Sequence, residues 1–195
     1  MVDSLLQLPV RDFLDRVASA DEPAPAGGAV AALTAAASAS LLVLVARVTT
    51  RRGANTAEFD VLLARARTLQ HRLSRLMESD TQAFKNLMAV RRLPHRDANE
   101  TTTRRVALNQ ALARATHSPL EIAAACADLV VIAHRVEGLA SGEIVSDARV
   151  ARHLARAALL SSLDTVEQNL PHVREPEQRQ EMESELQLLR LRVSS

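Results

Sequence analysis

Residues 23–46 read PAPAGGAVAALTAAASASLLVLVA, two prolines and two glycines followed by an apolar run of mostly small side chains. From residue 29 to residue 46 no side chain is charged, which approaches the roughly 20 residues that a membrane-spanning helix needs. Three features argue against a span. Ala, Ser and Thr make up much of the run and only LLVLV is strongly apolar. The chain begins MVDSLLQL, without a basic leader, and Asp21 and Glu22 stand directly before the run. The stretch therefore predicts the buried helix of a bundle, and no membrane partner. Ala32, Ala36 and Ser40 recur every four residues, giving one face on which neighbouring helices can approach closely.

Outward from that helix, the rest of the chain also has helical periodicity. Pro9 and the following RDFLDRVAS predict a short helix with Val10, Phe13, Leu14 and Val17 on one face. The buried helix runs to about Arg51, and RRGAN breaks it, with Gly53 and Asn55 as turn residues. Leu62, Leu63, Ala66, Leu69, Leu73, Leu76 and Met77 keep helical spacing within a segment from residue 56 to about 92, which Pro94 ends. A further helix is expected over roughly residues 100–137, with Pro119 bending or splitting it. Ser146 and Asp147 mark the start of another that reaches Leu170. Pro171 and Pro176 punctuate a last charged helix ending near Arg192. No segment alternates with period two for long enough to suggest a strand. The expected fold is all-α: a single-domain bundle of long antiparallel helices over residues 1–195. Helices this long leave apolar faces that a second subunit would cover, so a homodimer formed through helices is expected.

Composition removes several function classes. The 195 residues carry a formal net charge of +1, so no global field draws the chain to nucleic acid or acidic lipid. Trp and Tyr are absent, and Phe13, Phe59 and Phe84 are the only aromatics, too few for base-stacking platforms. Lys85 is the one lysine, so the basic residues are nearly all planar forks suited to carboxylates and phosphates. The lone Cys126, within IAAACADLVV, excludes an internal disulfide, fits a reducing cytoplasmic setting and suits a small buried hydrophobe. His71, His95, His117, His134, His153 and His172 are scattered, so no zinc pattern forms and no metal site is expected. Phosphate-binding and dinucleotide fingerprints and a serine nucleophile elbow are also missing.

The segments FLDRVAS, PAPAGGAVAAL, SDTQAF, RRLP, RR, SPLEIA, VSDARVA and QNLPHV follow one another in that order. Together they resemble the cyclodeaminase/cyclohydrolase family, the helical folate-enzyme domain also found fused in formiminotransferase-cyclodeaminase, from about residue 10 to 173. The resemblance implies a helical, self-associating enzyme of one-carbon tetrahydrofolates with no cofactor beyond the tetrahydrofolate substrate. The implied reaction is hydrolysis of 5,10-methenyltetrahydrofolate to the 10-formyl form, or cyclisation of the 5-formimino form with loss of ammonia. A diverged relative that binds folate or another small ligand without turnover, and a helical interaction module, are the alternatives.

The methenyl carbon carries delocalised positive charge, so a carboxylate can both stabilise it and take a proton from attacking water. Asp147 and Asp80 fall in segments that match the family and are the candidate catalytic residues. Asp147 could instead cap a helix beside Ser146, and Asp80 could be an ordinary surface acid. Gly27 and Gly28 resemble the family's Pro-x-Pro-Gly-Gly-Gly turn, where backbone can approach a ligand. Arg51, Arg52 and Arg92 are candidates for the folate's glutamate carboxylates, with Arg104 and Arg105 behind them. Ser146 joins the substrate-binding set, and Asn169 could bond the pterin edge or cap a helix. Five positions depart from the family pattern: Ala26 replaces the first glycine of the triplet, Ala140-Ser141 replaces Gly-Asn, Thr165 replaces an asparagine, and Asp164 puts a charge where many relatives are apolar. Ala26 is tolerable only if its φ stays negative.

Overall fold

The apolar run becomes the helix around which the others assemble. In the computed structural model, which describes residues 4–21, 24–53 and 56–194, it is α2, Gly27–Arg51. Its small face (Ala32, Ala35, Ala39 and Ala46 among others) is almost fully buried, so backbones come close without large side chains to hold them apart. By length and composition α2 could cross a membrane, but 61% of its most apolar window is buried inside the protein. Pro23 and Asn55, expected as turn residues, lie outside the described residues; Gly53, with φ +88°, makes the turn after α2.

Before α2 come a short 3-10 turn, Leu5–Gln7, and α1, Val10–Ala18. After it come α3, Thr56–Arg91; α4, Ala98–Leu139; a 3-10 turn, Gly142–Ile144; α5, Val145–Asn169; a third 3-10 turn, Leu170–His172; and α6, Pro176–Ser194. There is no strand among the described residues. Short connections force α2 to α5 into an up-and-down bundle. α2 and α4 each pack between α3 and α5, and α6 lies against α4 and α5. The core runs through all of these helices, with Leu42, Leu73, Met77, Leu120, Leu129, Ile132, Leu159 and Leu163 fully enclosed.

Local chemistry explains the boundaries. Asp97 accepts from the Glu100 N–H at 2.7 Å while Glu100 accepts from the Arg96 N–H at 2.8 Å, a reciprocal cap that starts α4 inside the polar PHRDANE loop. Arg104 donates to the Arg91 carbonyl at 3.2 Å, closing the last turn of α3. Two expectations need correcting. On α1 only Phe13 is buried and Val17 packs in part against the core, while Val10 and Leu14 are 76% and 57% exposed. And Pro119 does not split α4, for a reason that belongs to the site.

Candidate active site

At the start of α2 the chain enters through Ala24 and Pro25, both buried, with a cis bond between them. Ala26 is the N-cap, extended at φ −133°, so the alanine that replaces a glycine sits in backbone any residue adopts. An alanine has no side-chain acceptor for the free N–H groups of the first turn. That acceptor arrives from another helix. Asp80, half-buried on α3, takes the Ala29 N–H on its carboxyl. Gly28 is what lets it in: a Cβ at that position would lie 2.6 Å from the Asp80 Cγ and closer still to Oδ2. Gly27, by contrast, is exposed and a Cβ there would meet nothing within 4 Å.

Burial pushes the Asp80 carboxyl above its ordinary pKa, while the nearby Ser118 hydroxyl and the Ala29 N–H act in the opposite sense. No lysine, arginine or histidine lies within 4 Å of it among the described residues. Ser118 comes from α4, and its Oγ is buried without completing a hydrogen bond of good geometry. The residue after it is Pro119, which has no N–H to give the Ala115 carbonyl one turn back. Asn169, at the end of α5, supplies the missing donor through Nδ2 at 3.0 Å. So α4 continues without a break, and one N–H of the Asn169 amide is taken up by a backbone carbonyl.

The remaining candidates lie elsewhere. Arg51 and Arg52 close α2 at its far end, where Arg52 overlies Gly142 at 3.3 Å from a would-be Cβ. Ser146 and Asp147 follow directly, in the first turn of α5. Neither caps that helix: the 3-10 turn runs straight into it, Ile144 is the N-cap without a side-chain bond, and Ser146 donates to the Glu143 carbonyl at 2.8 Å. Arg92 is exposed just past α3, and Arg104 serves the Arg91 carbonyl. Ser38 of α2 donates to the Ala151 carbonyl of α5 at 2.7 Å, which sets the level of these antiparallel helices. Asp147, one turn before Ala151, is level with about Leu42, roughly 20 Å of helix from Gly28. One chain thus holds Gly28, Asp80 and Ser118 together at the start of α2, Asp147 about level with Leu42, and Arg51 and Arg52 at the far end.

Ser118 and the Ala29 amide are functional candidates that residue type alone did not single out; the Ser-Pro dipeptide inside a helical segment was the available signal. No group of three or more His, Cys, Asp or Glu that could hold a metal occurs among the described residues.

Comparison with known proteins adds the following. The family model for formiminotransferase-cyclodeaminase matches residues 9–188. The methenyltetrahydrofolate cyclohydrolase of Methylorubrum extorquens is 30% identical over 156 residues, which are 78% of this chain and 74% of that protein. The formimidoyltransferase-cyclodeaminase of Sus scrofa is 33% identical over 133 residues, 65% of this chain but 24% of the longer protein. The solved structure of a formiminotetrahydrofolate cyclodeaminase from Thermotoga maritima superimposes with a TM-score of 0.84, covering 97% of this chain and 92% of that one. At 23% identity that likeness is one of fold.

Proposed function

The chain belongs to the formiminotransferase-cyclodeaminase family, and from that premise we propose that it is a one-carbon folate enzyme whose reaction is hydrolysis of 5,10-methenyltetrahydrofolate. The observation that carries this reading is the Asp80 carboxyl, held against the glycine turn of α2 and pushed above its ordinary pKa by burial. A carboxyl that keeps its proton to higher pH is, once ionised, a better base at neutral pH. The hydrolase reading is preferred because the relative matched over most of both chains carries that name; ammonia loss from the 5-formimino form is the lyase counterpart.

Asp80, ionised and facing the cationic methenyl carbon, takes a proton from water as the water oxygen bonds to that carbon. The carbon–N5 bond then breaks: N5 takes up a proton, the new hydroxyl gives one up, and the formyl group stays on N10. Gly27, exposed and without neighbours, leaves room for the ligand at the helix start.

A homodimer forms part of the same proposal. The outward face of α2 carries Val30, Leu33 and Leu44, 37%, 38% and 44% exposed. The stripe is symmetric about the exposed Ala37: Val30 and Leu44 lie seven residues either side of it, Leu33 and Leu41 four. A twofold interface needs a patch that complements itself. An antiparallel crossing at Ala37 brings the partner subunit's Asp147 to within about one helical turn of Gly28, measured along the axis. Asp147 and Arg51 or Arg52 then serve the Asp80 site across the interface, as second carboxylate and as partners for the glutamate carboxylates.

The test is decay of the near-ultraviolet absorbance of 5,10-methenyltetrahydrofolate against buffer, which corrects for spontaneous hydrolysis. Decay well above buffer that D80N abolishes supports the reading. Decay at the buffer rate, with no ammonia released from 5-formiminotetrahydrofolate, sinks it.

A further inference from the structure

Ser118 faces the Asp80 carboxyl from α4, and its Oγ is buried with no hydrogen bond of good geometry completed. A buried hydroxyl without a partner is costly and seldom retained without use. The residue is held on that face by an arrangement that would otherwise be hard to account for. Pro119 removes the N–H that would pair with Ala115, and Asn169 reaches over from α5 to replace it at 3.0 Å. With α4 kept continuous, Ser118 stays across the α3–α4 seam from Asp80. Resting on the function proposed above, we propose that Ser118 is a positioning residue for Asp80, its hydroxyl donating to the carboxylate and fixing the oxygen that meets the substrate.

The surroundings leave few competitors for the part. From α2 the carboxyl meets the Gly28 backbone and the Ala29 N–H; from α4 it meets Ser118. No cation lies within ion-pair distance among the described residues. The Ser118 hydroxyl is a side-chain donor placed to serve the ionised form, and deleting it removes a bond made to the charge.

The experiment is a carbon-13 titration of carboxyl-labelled aspartates in the full chain, with the Asp80 resonance assigned by its loss in D80N. It is read beside the pH profile of kcat/KM. S118A is expected to move the Asp80 midpoint upward by roughly half a unit or more, and to displace the rising limb of the profile by the same amount. S118T, which keeps the hydroxyl, should leave both near wild type, and S118V, its isostere, should behave as S118A. If S118A does not fold, the threonine–valine pair decides alone. An unmoved midpoint in S118A or S118V overturns the proposal. So does a uniform loss of kcat without displacement of the profile, which is what a merely structural serine would give. A wild-type chain inert toward both folates would defeat the proposed function instead, a result told apart by the titration, which needs no substrate.

Discussion

At position 28 there is room for a hydrogen atom and nothing larger, because the Asp80 carboxyl occupies the volume a Cβ would fill. The backbone there has ordinary negative φ, so alanine is compatible with the helix and the cost falls on the carboxyl. G28A should therefore fold yet lose about 100-fold in kcat/KM, the scale at which misplacing a reacting group by an ångström is felt. G27A, with open space around it, should gain about 0.5–1 kcal/mol in chemical denaturation. Asp80 has two roles to separate, base and remote cap of α2. Asparagine keeps the cap and removes the charge, whereas alanine removes both. D80A should lose about 1 kcal/mol, while D80N should match or exceed wild-type stability at neutral pH and be inactive. The sign follows from the raised pKa: between the ordinary carboxylate pKa and the raised one the unfolded chain has already released a proton that the native chain keeps. Wild-type stability from this group thus falls as pH rises through that window, and the fall should be missing in D80N. Cys126 gives a simpler case, since burial pushes its thiol up to about 12. It should not react with a thiol reagent until the protein unfolds. That burial was legible from its apolar neighbours, and Asp80 was legible as a candidate. What was not legible was its partner, since the glycine it touches lies on another helix more than fifty positions away in the chain.

Helix limits were readable to within a few residues, because proline, glycine and capping residues act on their own neighbours. At α4 the split that Pro119 allowed does not occur, and the helix runs from Ala98 to Leu139. The compensating donor is Asn169, fifty residues later, and no local rule reveals it. The same bond gives Asn169 a structural role beside the pterin-binding one expected from the sequence. A double-mutant cycle tests the pairing. N169A should cost about 1–3 kcal/mol by leaving the Ala115 carbonyl without a donor. In a P119A background, where the backbone N–H returns, that cost should largely vanish, so the two changes are strongly non-additive. Equal costs in both backgrounds would mean that Asn169 acts in some other way.

Across the whole molecule, helix order and directions followed from short loops and apolar faces, but the placing of the candidates did not. Asp80 and Asp147 match one family pattern along the chain, yet antiparallel packing sets them at different levels of the bundle. Levels depend on how far each helix slides past its neighbour, which side-chain packing decides and no single segment encodes. The symmetric stripe on α2 places a prediction at this scale. A37E sets like charges against each other at the proposed twofold axis while leaving the folded chain undisturbed, since Ala37 is exposed. Sedimentation should then report a species near 21.2 kDa, with circular dichroism unchanged and activity lost.

The separation of the two carboxylates has a further consequence, best put in the language of genetics. On the proposed dimer, lesions at Asp80 and at Asp147 would complement each other within one gene. A cell carrying one copy of each defective allele would assemble mixed dimers in which one of the two sites draws both of its acids from the intact positions. Two proteins dead in isolation would restore each other.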